Sequence, residues 1–153
     1  MAITTNATIE FYGTLDDLDS SSGTVANNAY SVAGDLAAWT NDDDAPMATM
    51  VGLFTFGTAP TAGTTIDLFC RLLNIADTTK DTQTPTDDQP VIYMGSYILD
   101  NVTSEQVLAI EIHLPNAKTS QEYEFYIKNN GTGQTLSSGW SLQITPKTYG
   151  PHA

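Results

Sequence analysis

Few side chains in this sequence are placed to do covalent chemistry. One cysteine, Cys70, and two histidines, His113 and His152, make up the soft-ligand and base inventory. Neither histidine has a cysteine or a second histidine at the short spacing of a zinc site. A serine triad assembles in space and demands no sequence spacing. Its nucleophile-elbow signature G-x-S-x-G is nevertheless missing, as are a P-loop and a dinucleotide-binding glycine pattern. Cys70 shares one face of an alternating run with Ile66, Leu68 and Leu72, which suits a small buried hydrophobe better than a nucleophile. These residues predict no enzymatic activity, no catalytic metal and no cofactor.

Carboxylates are the abundant functional group. There are 18 acidic residues against 5 basic ones, for a net charge of −13. A glycosidase would need two of them facing each other across a sugar cleft. The candidates Glu111, Glu122 and Glu124 alternate with apolar residues and are predicted on solvent faces. Asn41, Asp42, Asp43 and Asp44 (NDDD) offer the clustered oxygens that calcium prefers, but a charged loop is the favoured reading. Asp17-x-Asp19-x-Ser21 begins like an EF-hand loop. It has Ser22 where that loop needs glycine and Asn28 where it needs a bidentate glutamate, so it is rejected.

The cations are too few and too scattered for a nucleic-acid surface. Arg71 is the only arginine, and Lys80, Lys118, Lys128 and Lys147 stand singly. Phosphate backbones and anionic membranes both select clustered Lys and Arg, so neither partner is expected. Aromatic residues are the remaining class. Phe69, Tyr93, Tyr97 and Tyr126 are phased opposite the apolar faces of their segments. Such rings form a protein interface, lie under a second sheet, or make a sugar platform.

The elements that would carry these groups are strands. Residues 64–73, 107–114, 123–129 and 140–145 alternate apolar and polar side chains with a period of two. Residues 48–56 and 91–99 are apolar on both faces, as in a strand covered from both sides, whether by the other sheet or by a neighbouring subunit. Weaker strands are predicted at 8–12 and 29–33. The connections are rich in Gly, Pro, Thr, Asn and Asp. Residues 128–134 (KNNGTGQ) supply the positive-φ positions of a tight turn, and residues 74–89 form a long polar loop. The expected fold is all-β: an antiparallel β-sandwich, jelly-roll-like, of about seven or eight strands. A chain of 153 residues is one domain. Within it, residues 1–30 read as an N-terminal arm or edge strand and 31–153 as the sandwich. Residues 1–9 (MAITTNATI) are uncharged and β-prone, whereas 16–23 (DDLDSSSG) read as a flexible acidic turn. Residues 1–9 have no signal-peptide pattern, and no run reaches the roughly 18 apolar residues of a membrane span. Synthesis in a cytoplasm and delivery by assembly are expected.

Several segments resemble a family. Residues 57–69 (GTAPTAGTTIDLF), 94–97 (MGSY), Leu114–Pro115, 125–134 (FYIKNNGTGQ) and 138–142 (SSGWSL) are similar, in the same order, to segments of small virion structural proteins of tailed bacteriophages. The resemblance spans about residues 48–145. It departs from that group in the 74–89 loop and has no match in the N-terminal third. It implies a head decoration (cement) protein on a β-sandwich. Such a protein binds the outer surface of the major capsid shell and stabilises it, and it sits on the virion exterior after assembly in the host cytoplasm. Its partner is the major capsid protein. A homo-oligomer, most naturally a trimer at threefold positions, would match the shell symmetry. Ile3, Ile9, Phe11 and Tyr12 are the predicted capsid or subunit contacts, added to an exposed strand edge by main-chain pairing. The alternative is a tail or fibre module that binds a carbohydrate or receptor, and a glycan-cleaving enzyme is the third reading.

Overall fold

The computed structural model describes residues 8–18, 22–73, 91–115 and 120–151. Among these residues there are nine strands and no helix. They are β1 (Thr8–Tyr12), β2 (Asp16–Asp17), β3 (Trp39–Asn41), β4 (Met47–Phe54), β5 (Thr65–Leu72), β6 (Ile92–Ile98), β7 (Gln106–His113), β8 (Gln121–Asn130) and β9 (Ser141–Pro151). They form two antiparallel sheets. One runs β1-β9-β4-β7, with β2 also beside β9; the other runs β3-β8-β5-β6. Consecutive strands cross between sheets from β2 onward, except that β5 and β6 are neighbours.

β1 and β2 lie along the same edge of β9 as one interrupted strand. Tyr12 pairs with Lys147 and Asp16 with Ile144, so the register slips by one residue between them. Gly13 stands at the slip, and its N–H donates to the Pro146 carbonyl at 2.8 Å. A Cβ there would lie 2.6 Å from Pro146 Cγ and 2.8 Å from Asp43 Oδ2, so only glycine passes. With that edge taken as one strand, the order is an eight-stranded jelly roll.

Alternation decides which side chains fill the space between the sheets. β4 buries Ala48, Met50 and Phe54, and they meet Ile112 of β7 and Leu142 and Ile144 of β9. The other sheet contributes Ile66, Leu68, Cys70, Tyr97, Tyr123, Phe125 and Ile127. Each large apolar side chain so buried contributes roughly 1.5–3 kcal/mol. Gly52 is also on the inner face, and the Phe54 ring occupies the place of its missing Cβ. Cys70 is fully buried, its Sγ 3.4 Å from Met94 Sδ, and burial pushes its thiol up to about 12.

Four expectations need correction. Tyr97 is an inner residue, packed edge-on against Phe54 with ring centroids 5.1 Å apart. A bulge on β6 causes this: Leu68 pairs with Gly95 but Phe69 with Tyr93, so Tyr93 and Tyr97 fall on opposite faces. Tyr126 and Glu124 do point to the outer side of β8, yet both are buried. Residues 29–33 do not form a strand; Tyr30 makes a single bridge to Lys128. The acidic turn contains a strand, because Asp16 and Asp17 pair with β9, and Leu18 is in the core. Of the two runs apolar on both faces, neither has its outer face covered by this chain among the described residues, which leaves cover by a neighbouring subunit as the other expectation. β4 leaves its alternate residues half-buried, and β6 is an edge strand with Ile92, Tyr93 and Ile98 exposed. The 74–89 loop, Ile3 and His152 lie outside the described residues.

Candidate interaction surfaces

Among the described residues, three of the four exposed aromatics gather where β9 outruns its sheet. β4 pairs with β9 only as far as Met47 opposite Lys147. Beyond that point β1 is the partner of β9 among the described residues, and the two make a ribbon with Thr8 opposite Pro151 and Phe11 opposite Thr148. A two-stranded ribbon has no sheet above it to bury side chains. Phe11 is 49% exposed on one face, and Tyr12 at 63% and Tyr149 at 49% on the other. Of the predicted contact residues, Phe11 and Tyr12 are thus presented to solvent on opposite faces. Ile9 lies in β1 opposite Gly150.

Lys147 anchors the base of this ribbon. Its Nζ donates to both Glu111 oxygens, at 2.6 and 2.7 Å, and lies 3.6 Å from Glu10 Oε1. It also sits 5.2 Å from the Tyr12 ring centroid, close enough for a cation–π contact. The hydroxyl of Thr49 donates to Glu111 Oε1 at 2.8 Å. The Lys147 hydrogen bond holds the Glu111 carboxyl below its ordinary value, with Thr49 assisting. The same bond holds the Lys147 ammonium above its ordinary value, against the cost of desolvation. Glu111, read as a solvent-facing carboxylate, is therefore a tether between β7 and β9. Tyr149 and Lys147 were missed as site residues because the expected strand ended at Thr145. Pro146 reads as a terminator, but here the register slip at Gly13 accommodates it.

A second surface covers the outer face of β5, β6 and β8. Tyr30, Phe69 and Tyr93 form a row of edge-on rings, with centroids 5.3 and 5.6 Å apart. Lys128 Nζ lies 5.1 Å from the Tyr30 ring centroid. Beside the rings runs a polar chain. The Tyr93 hydroxyl donates to Ser96 Oγ at 2.7 Å, and Ser96 donates to Asp67 Oδ1 at 2.6 Å. Asn130 Nδ2 donates to Asp67 Oδ2 at 2.8 Å. Tyr93 remains 58% exposed at the end of the row.

The acidic run has a structural use. Asn41 is buried; its Nδ2 donates to the Ala45 carbonyl, and its Oδ1 accepts from the Ala45 N–H. The run therefore closes the β3–β4 turn, with Asp42, Asp43 and Asp44 exposed. No group of three or more His, Cys, Asp or Glu at metal-binding distance occurs among the described residues.

No family model and no curated protein matches this chain. Solved structures do match over nearly its whole length. One is the structure of infectious bursal disease virus Gx strain, at 11% identity and a TM-score of 0.38, covering 97% of this chain and 37% of the other. Another is the 60-mer BFDV capsid protein, at 12% identity and a TM-score of 0.32, covering 98% of this chain and 96% of that one. This chain thus spans little more than a third of the first structure's chain.

Proposed function

We propose that this chain is a structural protein of a bacteriophage particle, a decoration protein that binds the outer surface of the major capsid shell and stabilises it. The observation that carries the reading is the β1–β9 ribbon, whose aromatics are exposed on both faces and whose outer strand lies at the sheet edge. A strand edge with exposed rings is suited to adding a strand from a neighbour, with main-chain bonds giving affinity and rings giving buried area. The family resemblance of residues 48–145 points the same way. The fold alone does not choose, since jelly rolls carry both viral capsid and lectin domains.

The reading includes a homo-oligomer, most simply a trimer. Val51 and Leu53 of β4 pair with Ala109 and Val107 of β7 on the outer face of the first sheet, and Val107 is 62% exposed. Apolar residues in such a row support a subunit contact. The test is a density map of the particle, with shells that carry and lack the protein compared for heat resistance. Density on the outer surface, in numbers that follow the lattice, and lower resistance in the stripped shell are expected. A location at the tail, or equal resistance, rejects the decoration role.

The row of Tyr30, Phe69 and Tyr93 beside Asp67, Ser96 and Asn130 favours a second reading, a carbohydrate-binding tail or fibre module. Rings with adjacent hydrogen-bonding groups suit the mixed polar and apolar faces of a sugar. Glycan-array binding lost in Tyr93→Ala, with few copies per particle, would support it over the first.

A further inference from the structure

The two sheets have four edges, and a long regular edge is a template for another strand. Three of them are blunted among the described residues. β3 is three residues long, the β1–β2 edge slips at Gly13, and β6 carries its bulge between Tyr93 and Gly95. β7 is not blunted. It pairs with β4 without a shift, from Gln106 opposite Phe54 to His113 opposite Met47, and it contains no proline, lysine or glycine. Its one carboxylate, Glu111, is held by Lys147 Nζ at 2.6 Å, so the charge that would guard the edge is matched from within the chain.

Parity tells which main-chain groups face that edge. The Leu114 N–H donates to the Pro46 carbonyl at 2.9 Å, on the β4 side. Successive residues of a strand direct their N–H and C=O groups to opposite sides, so Gln106, Leu108, Ile110 and Ile112 bond to β4. Val107, Ala109, Glu111 and His113 turn theirs to the edge, and all four residues are exposed.

This edge is complementary to itself. A twofold axis beside Ile110 engages all four edge residues: Val107 falls opposite the second copy's His113, and Ala109 opposite its Glu111, each N–H meeting a carbonyl. On the inward row Ile110 meets Ile110 and Leu108 meets Ile112, which covers the half-buried Leu108 and Ile110 further. No like charges stand opposite each other, whereas a shift that centres the axis on Glu111 would oppose two carboxylates.

We infer that β7 pairs antiparallel with β7 of a second copy about this twofold, joining the two first sheets into one continuous sheet. The contact is isologous, so it joins two copies and no more. It goes beyond the shell reading and is a different contact from the threefold one named there.

The test uses the full chain free in solution at about 0.15 M salt, where repulsion between copies is screened over about 8 Å. Sedimentation against concentration should show a monomer–dimer equilibrium. Amide exchange read by NMR should give the register. Val107, Ala109, Glu111 and His113 should slow at least about tenfold as the dimer fills, while Leu108, Ile110 and Ile112 are slow throughout. Ala109→Pro removes an edge N–H without touching a bond to β4, which edge strands tolerate. It should weaken the dimer at least about tenfold. Ala109→Lys keeps the N–H and sets an ammonium opposite the second copy's Glu111, so it should pair at least as well as the parent. A monomer at every concentration, or a dimer or trimer in which the four edge amides stay fast, overturns the inference and leaves shell binding untouched. Protection that appears only on shells also overturns it, since a shell strand would then hold the edge. So does equal weakening by the Pro and Lys variants. If Ala109→Pro fails to fold, the exchange pattern of the parent chain decides.

Discussion

The two ends of β9 are built on opposite terms. At the Ser141 end, polar groups are buried and fully committed. Asn129 is inaccessible; its Nδ2 donates to the carbonyls of Val25 at 2.9 Å and Gln134 at 2.8 Å. Its Oδ1 accepts from the Thr132 hydroxyl at 2.6 Å. Asn27 and Asn28 accept from the N–H groups of Gly133 and Gly131, and Trp140 Nε1 donates to the Gly23 carbonyl. These bonds fasten the N-terminal segment across the end of the sandwich. At the Pro151 end the ribbon has the Lys147 cluster at its base and exposed rings beyond it. A satisfied buried network fixes one arrangement, because every alternative leaves polar groups unpaired. An exposed ribbon carries little of that constraint and leaves its apolar area in solvent. On the proposed reading, stability and recognition are thereby placed at opposite ends of one strand.

The sharpest way to break this contrast is at Asn129. Asn129→Leu leaves the Val25 and Gln134 carbonyls without their donor, and a loss of about 2–4 kcal/mol is expected. Chemical denaturation would measure it, and a loss below about 0.5 kcal/mol, the range of ordinary surface changes, would remove the network from the account. Gly13→Val comes next. The added side chain meets Pro146 and Asp43, and forcing the edge strand away should cost about 1–3 kcal/mol. The same variant should bind shells less well, because the ribbon is re-aimed.

The exposed rings should separate the two properties. Phe11→Ala, Tyr12→Ala and Tyr149→Ala should each change stability by under about 0.5 kcal/mol, as exposed positions do. Each should weaken shell binding by about tenfold, read as occupancy on purified particles against protein concentration. Unchanged occupancy in all three would move the contact away from the ribbon.

The smallest effect is the pH dependence of the Lys147–Glu111 tether. Glu111 is shifted down in the folded state, so its contribution is complete above its ordinary value of 4.5 and is lost as pH falls through the lower folded value. Lys147 is shifted up, so its share is present below 10.5 and is lost as pH rises through the higher folded value. Glu111 is about half exposed, which limits the pair to roughly 0–1 kcal/mol. Glu111→Gln should therefore be slightly less stable than the parent at pH 7, and the difference should vanish in acid below the carboxylate range. A difference that persists there would assign the effect to packing.

Much of the sandwich was legible because one-sided burial writes itself as alternation. In β7, Leu108, Ile110 and Ile112 alternate with Val107, Ala109 and Glu111, and the phase holds to Leu114. It failed where the backbone broke period two or where a distant segment changed an environment. The β6 bulge at Gly95 turned Tyr97 inward without altering the composition of the run. Glu124 and Tyr126 read as solvent-facing because alternation tells which face a side chain takes and not whether that face is covered. Phe11 and Tyr12 stood out by type and position, and both are exposed. Their partner Tyr149 was hidden behind Pro146, a residue whose usual meaning is the end of a strand.

The chain's single thiol has a use of another kind. Cys70 lies in β5 between β6 and β8, fully inaccessible, with its ionisation pushed up to about 12. The thiolate is the reactive form, so reagents must wait for the sheets to part. The labelling rate of Cys70 is therefore a clock for the opening of the sandwich, readable by mass in solution and, on the proposed reading, on an assembled particle. The ratio of the two rates measures how far assembly slows the breathing of each copy.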